Sequence, residues 1–171
     1  DNNFSLIIAL DCGIKAIDKV AYAFKKEVDF IICDHHRPGD EIPKAKAVLD
    51  PKQEDCDYPF KELCGCGVGF KLIQALASKK GATIDDLVLY LDLVATAIGA
   101  DIVPIVGENR ILAYHGLKVI NENPRPGFEA ILKQVKKEKL TITDVVFIIA
   151  PRINAAGRMK HGNHAVTLLC E

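Results

Sequence analysis

The chain has 171 residues, with 22 Lys and Arg against 23 Asp and Glu, and a formal net charge of -1. A near-neutral balance excludes a surface built throughout for nucleic acid and leaves room only for a local basic cleft. At 49% hydrophobic and 26% charged residues the composition excludes a disordered chain, and the length suits one core and is marginal for two.

No apolar run reaches the ~18 residues of a membrane span. The longest, residues 87–100, is interrupted by Asp92 and reads as a buried helix. The polar opening Asp1-Asn2-Asn3 carries no signal-peptide pattern. Cys12, Cys33, Cys56, Cys64, Cys66 and Cys170 show no repeated spacing, and Cys64-Gly-Cys66 is not the C-x-x-C of a zinc knuckle. Free thiols in a reducing cytoplasm are expected, with Cys12 and Cys33 as small buried apolar groups. A zinc or disulfide role for Cys56, Cys64 and Cys66 is the alternative.

In chain order, residues 5–10 (SLIIAL) read as a buried strand stopped by Asp11-Cys12-Gly13. Ile14, Ile17, Val20, Ala21 and Phe24 follow at helical spacing. Residues 28–33 (VDFIIC) form a second strand, so a β-α-β unit with parallel neighbouring strands is predicted. Residues 47–49 form a short third strand before Asp50-Pro51. Helices are expected over about 68–79, 84–98 (opened by Thr83 and Asp86), 108–120 and 128–137. Another opens at Thr141 with Asp144 and runs to about 149, where Pro151 ends it. The predicted architecture is a small parallel α/β sheet over about residues 1–105, followed by a helical extension over about 106–171.

Ligands of parallel sheets gather beyond the carboxyl ends of the strands. Asp11 follows the first strand and Asp34-His35-His36 the second. Neighbouring parallel strands lie ~4.8 Å apart, so these side chains can converge. Carboxylate with imidazole is a donor set for a divalent ion such as Mn²⁺. The triplet also reads as a solvated loop or as a turn cap, and spacing alone leaves all three open. Asp101 ends an apolar helix and is either a helix-terminus carboxylate or a group with a partner to find. Asp92 reads as a buried structural carboxylate or one that supports a ligand, with direct ligation as the alternative. Residues 151–164 (PRINAAGRMKHGNH) hold Arg152, Arg158, Lys160, His161 and His164 without an acid. They read as a loop whose backbone amides at Asn154 and Gly157 approach an anion, or as a basic surface turn. The run of lysines over 133–139 reads as a solvated helix end.

These segments stand in a telling order: Leu10-Asp11-Cys12-Gly13, Asp34-His35-His36-Arg37-Pro38, Asp50-Pro51-Lys52-Gln53, Cys66-Gly67-Val68-Gly69-Phe70-Lys71-Leu72, Leu93-Val94-Ala95 through Asp101-Ile102-Val103-Pro104, and Pro151 to Met159. Over nearly its full length the chain resembles the DHH phosphoesterase domain of RecJ-type exonucleases, a Rossmann-like α/β domain. The RINAAGRM segment separates it from the family's pyrophosphatases and small-nucleotide phosphodiesterases. The resemblance implies 5′-to-3′ exonuclease action on single-stranded DNA in recombination and repair, with Mn²⁺ or Mg²⁺. It implies Asp11 as a metal-bridging carboxylate, His35 and Asp101 as metal ligands, and His36 facing the scissile phosphate. Asp34 would position the histidines, and Arg152, Asn154 and Arg158 would meet the DNA backbone. Two metals ~3.5–4 Å apart can stabilise both the attacking and leaving oxygens of a phosphodiester.

The family's earlier strand with Asp-x-Asp has no counterpart before Asp11, and its C-terminal DHH-associated domain has none after residue 171. The expectation is therefore an internal fragment, with one metal's ligands missing, little nuclease activity of its own, and an edge strand open to artificial association. Two other readings are a DHH-family phosphodiesterase acting on oligonucleotides or cyclic dinucleotides, and a non-catalytic DNA-binding scaffold.

Overall fold

The computed structural model describes residues 3–135, 137–159 and 163–170, those at 156–159 by backbone alone. The chain divides into two compact units, Asp1–Gly81 and Ala82–Glu171. The sequence places the change near residue 105. The compact units part earlier because the apolar helix before that point packs with the helices that follow it.

The first unit is a three-stranded parallel sheet in the order β1-β2-β3, comprising β1 (Leu6–Leu10), β2 (Asp29–Cys33) and β3 (Ala47–Leu49). Each strand falls within a residue of its expected place. Leu10 pairs with Cys33 and Cys33 with Leu49, so the carboxyl ends of all three strands are level. Helix α1 (Ile17–Lys25) connects β1 to β2, and α2 (Gly65–Lys79) packs on both of those strands. The buried line of α1 runs through Val20 and Ala23, with Ile14 just ahead of it, and it leaves Phe24 in solvent.

Central β2 is buried at Ile32 and Cys33. β1 corrects the expectation of a buried strand: Leu6, Ile7, Ile8 and Leu10 are all exposed. It ends the strand order, so among the described residues it has a strand neighbour on one side only. Cys12 is also exposed rather than buried, because the chain leaves the sheet one residue earlier; all six cysteines are free thiols.

The second unit is helical. A 3-10 turn (Asp85–Tyr90) leads into α3 (Leu91–Asp101), in place of one continuous helix over 84–98. Such tight turns are common where α-helices begin. Asp86 accepts from the Thr83 N–H at 2.8 Å, as the sequence pattern predicts. There follow α4 (Gly107–Glu122), α5 (Pro126–Val135), α6 (Ile142–Asp144), α7 (Ala150–Met159) and α8 (Asn163–Cys170). The core gathers Ala95, Ile120, Phe128, Ile131, Leu140, Val145 and Ile149. Helices α3 and α4 cross closely at Gly116, where a Cβ would lie 2.0 Å from the Leu91 carbonyl oxygen.

Asp92 is buried and held by Arg125, Nε to Oδ2 at 2.5 Å and Nη2 to Oδ1 at 2.8 Å, while Arg125 Nη1 donates to the Leu169 carbonyl at 2.7 Å. The Asp92 hydrogen bond raises the Arg125 pKa against the opposing effect of burial. Asp144 forms the expected capping box with Thr141, 2.9 Å from its N–H, and also pairs with Lys137. Lys137 first, then the Thr141 N–H, holds its carboxyl down at about 2. One lysine of the 133–139 run is thus engaged in the fold rather than merely solvated.

Pro151 does not end the last predicted helix. A π-helical turn (Val145–Ile149) precedes it, and α7 continues to Met159. Proline lacks an N–H and crowds the carbonyl one turn back. The wider π turn changes the hydrogen-bond register just ahead of it. Among the described residues no helix is long and apolar enough to cross a membrane.

Candidate metal centre

The level strand ends place three aspartates in a row. Asp11, Asp34 and Asp50 each follow the last residue of a strand. The ladder continues one step beyond the strands: the Asp11 N–H donates to the Cys33 carbonyl at 2.9 Å, and the Asp34 N–H to the Leu49 carbonyl at 3.0 Å. Asp11 then turns with φ +62°, the left-handed region that aspartate tolerates better than most residues.

Asp34 is 1% exposed. Its Oδ2 accepts from the Ile14 N–H at 2.9 Å. Its Oδ1 accepts from the N–H groups of His35 (2.8 Å) and His36 (3.2 Å) and lies 2.7 Å from His36 Nδ1. Burial pushes this carboxyl up, but the hydrogen bonds from Ile14, His36 and His35 outweigh it and the net shift is down. A buried, ionised Asp34 therefore organises the turn that carries both histidines.

His35 is nearly buried, and its Nε2 stands 3.2 Å from Asp11 Oδ1. The rings of His35 and His36 meet edge to face with centroids 4.5 Å apart. His36 is largely exposed. With its Nδ1–H donating to Asp34, its Nε2 is the acceptor nitrogen of the neutral ring, or a donor once the ring is protonated. One ligand atom each from Asp11, His35 and His36 lies within 4.8 Å of the others, the one such cluster among the described residues. A carboxylate and two imidazoles, one ring oriented by a buried carboxylate behind it, form a mixed oxygen and nitrogen donor set that first-row divalent ions can use.

Of the other expected residues, Asp101 closes α3 in the second unit, exposed, and is not in the cluster. Arg152 and Asn154 stand on α7, which corrects the expected anion-binding loop: in a helix interior the backbone amides are already bonded. Arg152 Nη1 donates to the Ile148 carbonyl at 2.9 Å. The Arg158 backbone belongs to α7, while its side chain, like Lys160 and His161 altogether, lies outside the described residues.

Two residues that the sequence does not single out as site residues stand out here. Asp50 is 2% exposed; its Oδ1 accepts from the Lys52 N–H at 2.8 Å, and its Oδ2 has no hydrogen-bond partner. Burial first, and the Asp34 charge with it, raise its pKa. The signal was present: Asp50 bears the same relation to the third strand as Asp11 and Asp34 do to theirs. The other is Gly65, the first residue of α2, which lies against the Asp11 carboxylate. Nothing in Gly65-Cys66-Gly67-Val68-Gly69 distinguishes it by sequence.

Comparison with known proteins adds to this geometry. The model of the DHH family, N-terminal domain, matches residues 2–98. The single-stranded-DNA-specific exonuclease RecJ of Bacillus subtilis (strain 168) is 42% identical over 171 residues, covering 99% of this chain and 21% of that protein. That of Escherichia coli (strain K12) is 38% identical over 176 residues, covering 96% and 30%. Among solved structures, RecJ in complex with Mn²⁺ from Thermus thermophilus superposes with a TM-score of 0.86 at 33% identity, over 98% of this chain and 25% of that one. An exonuclease RecJ bound to manganese gives 0.81 at 30% identity, over 96% and 44%. The chain thus spans between a fifth and a third of the length of these curated relatives.

Proposed function

The chain belongs to the DHH family, and from that premise we propose that it carries the metal-holding part of a hydrolase that cuts phosphodiester bonds, an exonuclease acting on single-stranded DNA. One observation carries the reading: Asp11, His35 and His36 converge within 4.8 Å at the carboxyl end of a parallel sheet. The relatives named as single-stranded-DNA-specific exonucleases, and the manganese in their solved structures, support the same chemistry.

In this proposal Asp11 and His35 hold Mn²⁺ or Mg²⁺, which when bound supplies an activated water and charge neutralisation at the phosphate. Asp34 keeps both histidines in place and remains ionised beneath them. His36 faces the substrate and, when protonated, donates from Nε2 to a phosphate oxygen. Arg152, Asn154 and Arg158 contribute to the hold on the DNA backbone, a role now assigned to a helix. Asp101 as a further ligand is taken from the family resemblance. Action in recombination and repair, in the cytoplasm, follows from the same reading.

The test is Mn²⁺ titration by calorimetry, with hydrolysis assays of the full-length protein on long single strands, duplex DNA and dinucleotides. The expected result is Mn²⁺ binding that weakens about 100-fold or more in Asp11→Ala and His35→Ala, and cleavage that prefers long single strands. Preference for dinucleotides would reassign the substrate, and unaltered Mn²⁺ binding in both variants would dismantle the site. Asp101→Asn, measured in the same way, tests that ligand separately.

A further inference from the structure

We propose that Gly65 is a positioning residue of this centre: the missing side chain at the first residue of α2 is what allows the Asp11 carboxylate to stand beside His35. The inference rests on the metal reading for its consequence, though not for its geometry.

A Cβ built at Gly65 would lie 2.1 Å from Asp11 Oδ1 and 2.6 Å from its Cβ and Cγ, against the 3.0 Å below which real Cβ contacts essentially never fall. The glycine is not there for its backbone. Gly13, Gly81 and Gly107 are the positive-φ glycines among the described residues, so Gly65 has a conformation open to any residue. Space is the reason that remains.

Nor can Asp11 retreat with its backbone. Its φ of +62° and its N–H bond to the Cys33 carbonyl fix the direction in which the side chain leaves the main chain. Gly69, one turn along α2, also lies close to the preceding residue, less tightly: a Cβ there would lie 3.0 Å from Leu10 Cδ2. With the strand end held, a methyl at 65 must turn the carboxylate away from where it stands, 3.2 Å from His35 Nε2, and, because rotation leaves Asp11 Cβ in place at 2.6 Å, must also push the start of α2 off Asp11. Gly67 serves as the internal control. It is also buried in α2, but a Cβ there would make contacts of 3.4 Å and more, to Cys64 and Leu63.

The experiment compares the full chain with Gly65→Ala and Gly67→Ala, by crystal structure without metal and by Mn²⁺ titration. In Gly65→Ala the Asp11 carboxylate is expected more than 4 Å from His35 Nε2, with Mn²⁺ affinity at least tenfold weaker; Gly67→Ala should match the parent in both. In an Asp11→Gly background, which lacks the clashing Cβ as well as the carboxylate, Gly65→Ala should add no further loss. Should Gly65→Ala fail to fold, Asp11→Gly/Gly65→Ala removes the clashing atoms and should fold; an unfolded double variant would place the cost elsewhere and overturn the proposal. An Asp11 carboxylate still in place beside His35 in Gly65→Ala would overturn it outright. A parent that binds no Mn²⁺, with the carboxylate displaced in the variant, would instead refute the metal reading and leave the positioning role standing.

Discussion

His36 Nδ1 lies 2.7 Å from Asp34 Oδ1, and the same oxygen accepts the backbone N–H of both histidines. One buried carboxylate thus sets the turn, the ring orientation and the tautomer of the exposed imidazole. Asp34→Asn keeps the shape but removes acceptor capacity and charge. One of those N–H groups belongs to His35, the proposed metal ligand, and loss of a partner behind a metal-ligating residue typically costs about 10–100-fold in affinity. That loss is expected for Mn²⁺ binding in Asp34→Asn, with the His36 ring signals in NMR changing alongside it. An Asn variant that binds Mn²⁺ like the parent would limit Asp34 to holding the turn.

Asp50 gives a pH prediction of defined sign. Its folded pKa is raised by burial and by Asp34, so the folded chain keeps this proton to higher pH than the unfolded chain does. Stability is then unaffected below the unfolded value and falls as pH rises toward the folded one. Asp50→Asn removes the ionisation. Its amide still leaves one polar atom unpaired, which costs less than an unpaired buried charge. Urea unfolding should find the variant more stable than the parent at pH 7, with the difference closing by about pH 3, below the usual aspartate pKa of ~3.9. A constant difference across that range would locate the effect in packing.

Asp92 and Arg125 make the buried ion pair of the helical unit, and Arg125 also ties the Leu169 carbonyl. Removing one partner of such a pair commonly costs about 3–5 kcal/mol, because the other charge stays buried alone. Arg125→Met should lose stability on that scale in urea unfolding. The double variant Asp92→Leu/Arg125→Met should be closer to the parent than Arg125→Met is, since no charge is left behind. Additive losses would mean that the pair is not coupled.

Strand positions, the parallel pairing and the convergence of Asp11 with Asp34-His35-His36 were legible in the chain, because apolar runs ended by aspartate mark where a parallel sheet delivers polar groups. The Thr141/Asp144 cap was legible for a similar reason, being a contact between residues three apart. Pro151 was read by its local preference alone. The π turn before it, built by residues 145–149 packing into the helical core, overrode that preference and turned an expected loop into α7.

What the sequence determined by itself is the order of strands, the three strand-end aspartates and the donor types of the centre, since these depend on neighbours along the chain. Tertiary structure decided which groups meet. It buried Asp34 and Asp50 while leaving Asp11 exposed, made His36 rather than His35 the ring that Asp34 orients, and pressed Gly65 against Asp11. Those outcomes depend on how closely a helix approaches a strand end, a distance set by packing between segments far apart in sequence and therefore by no local pattern of residues.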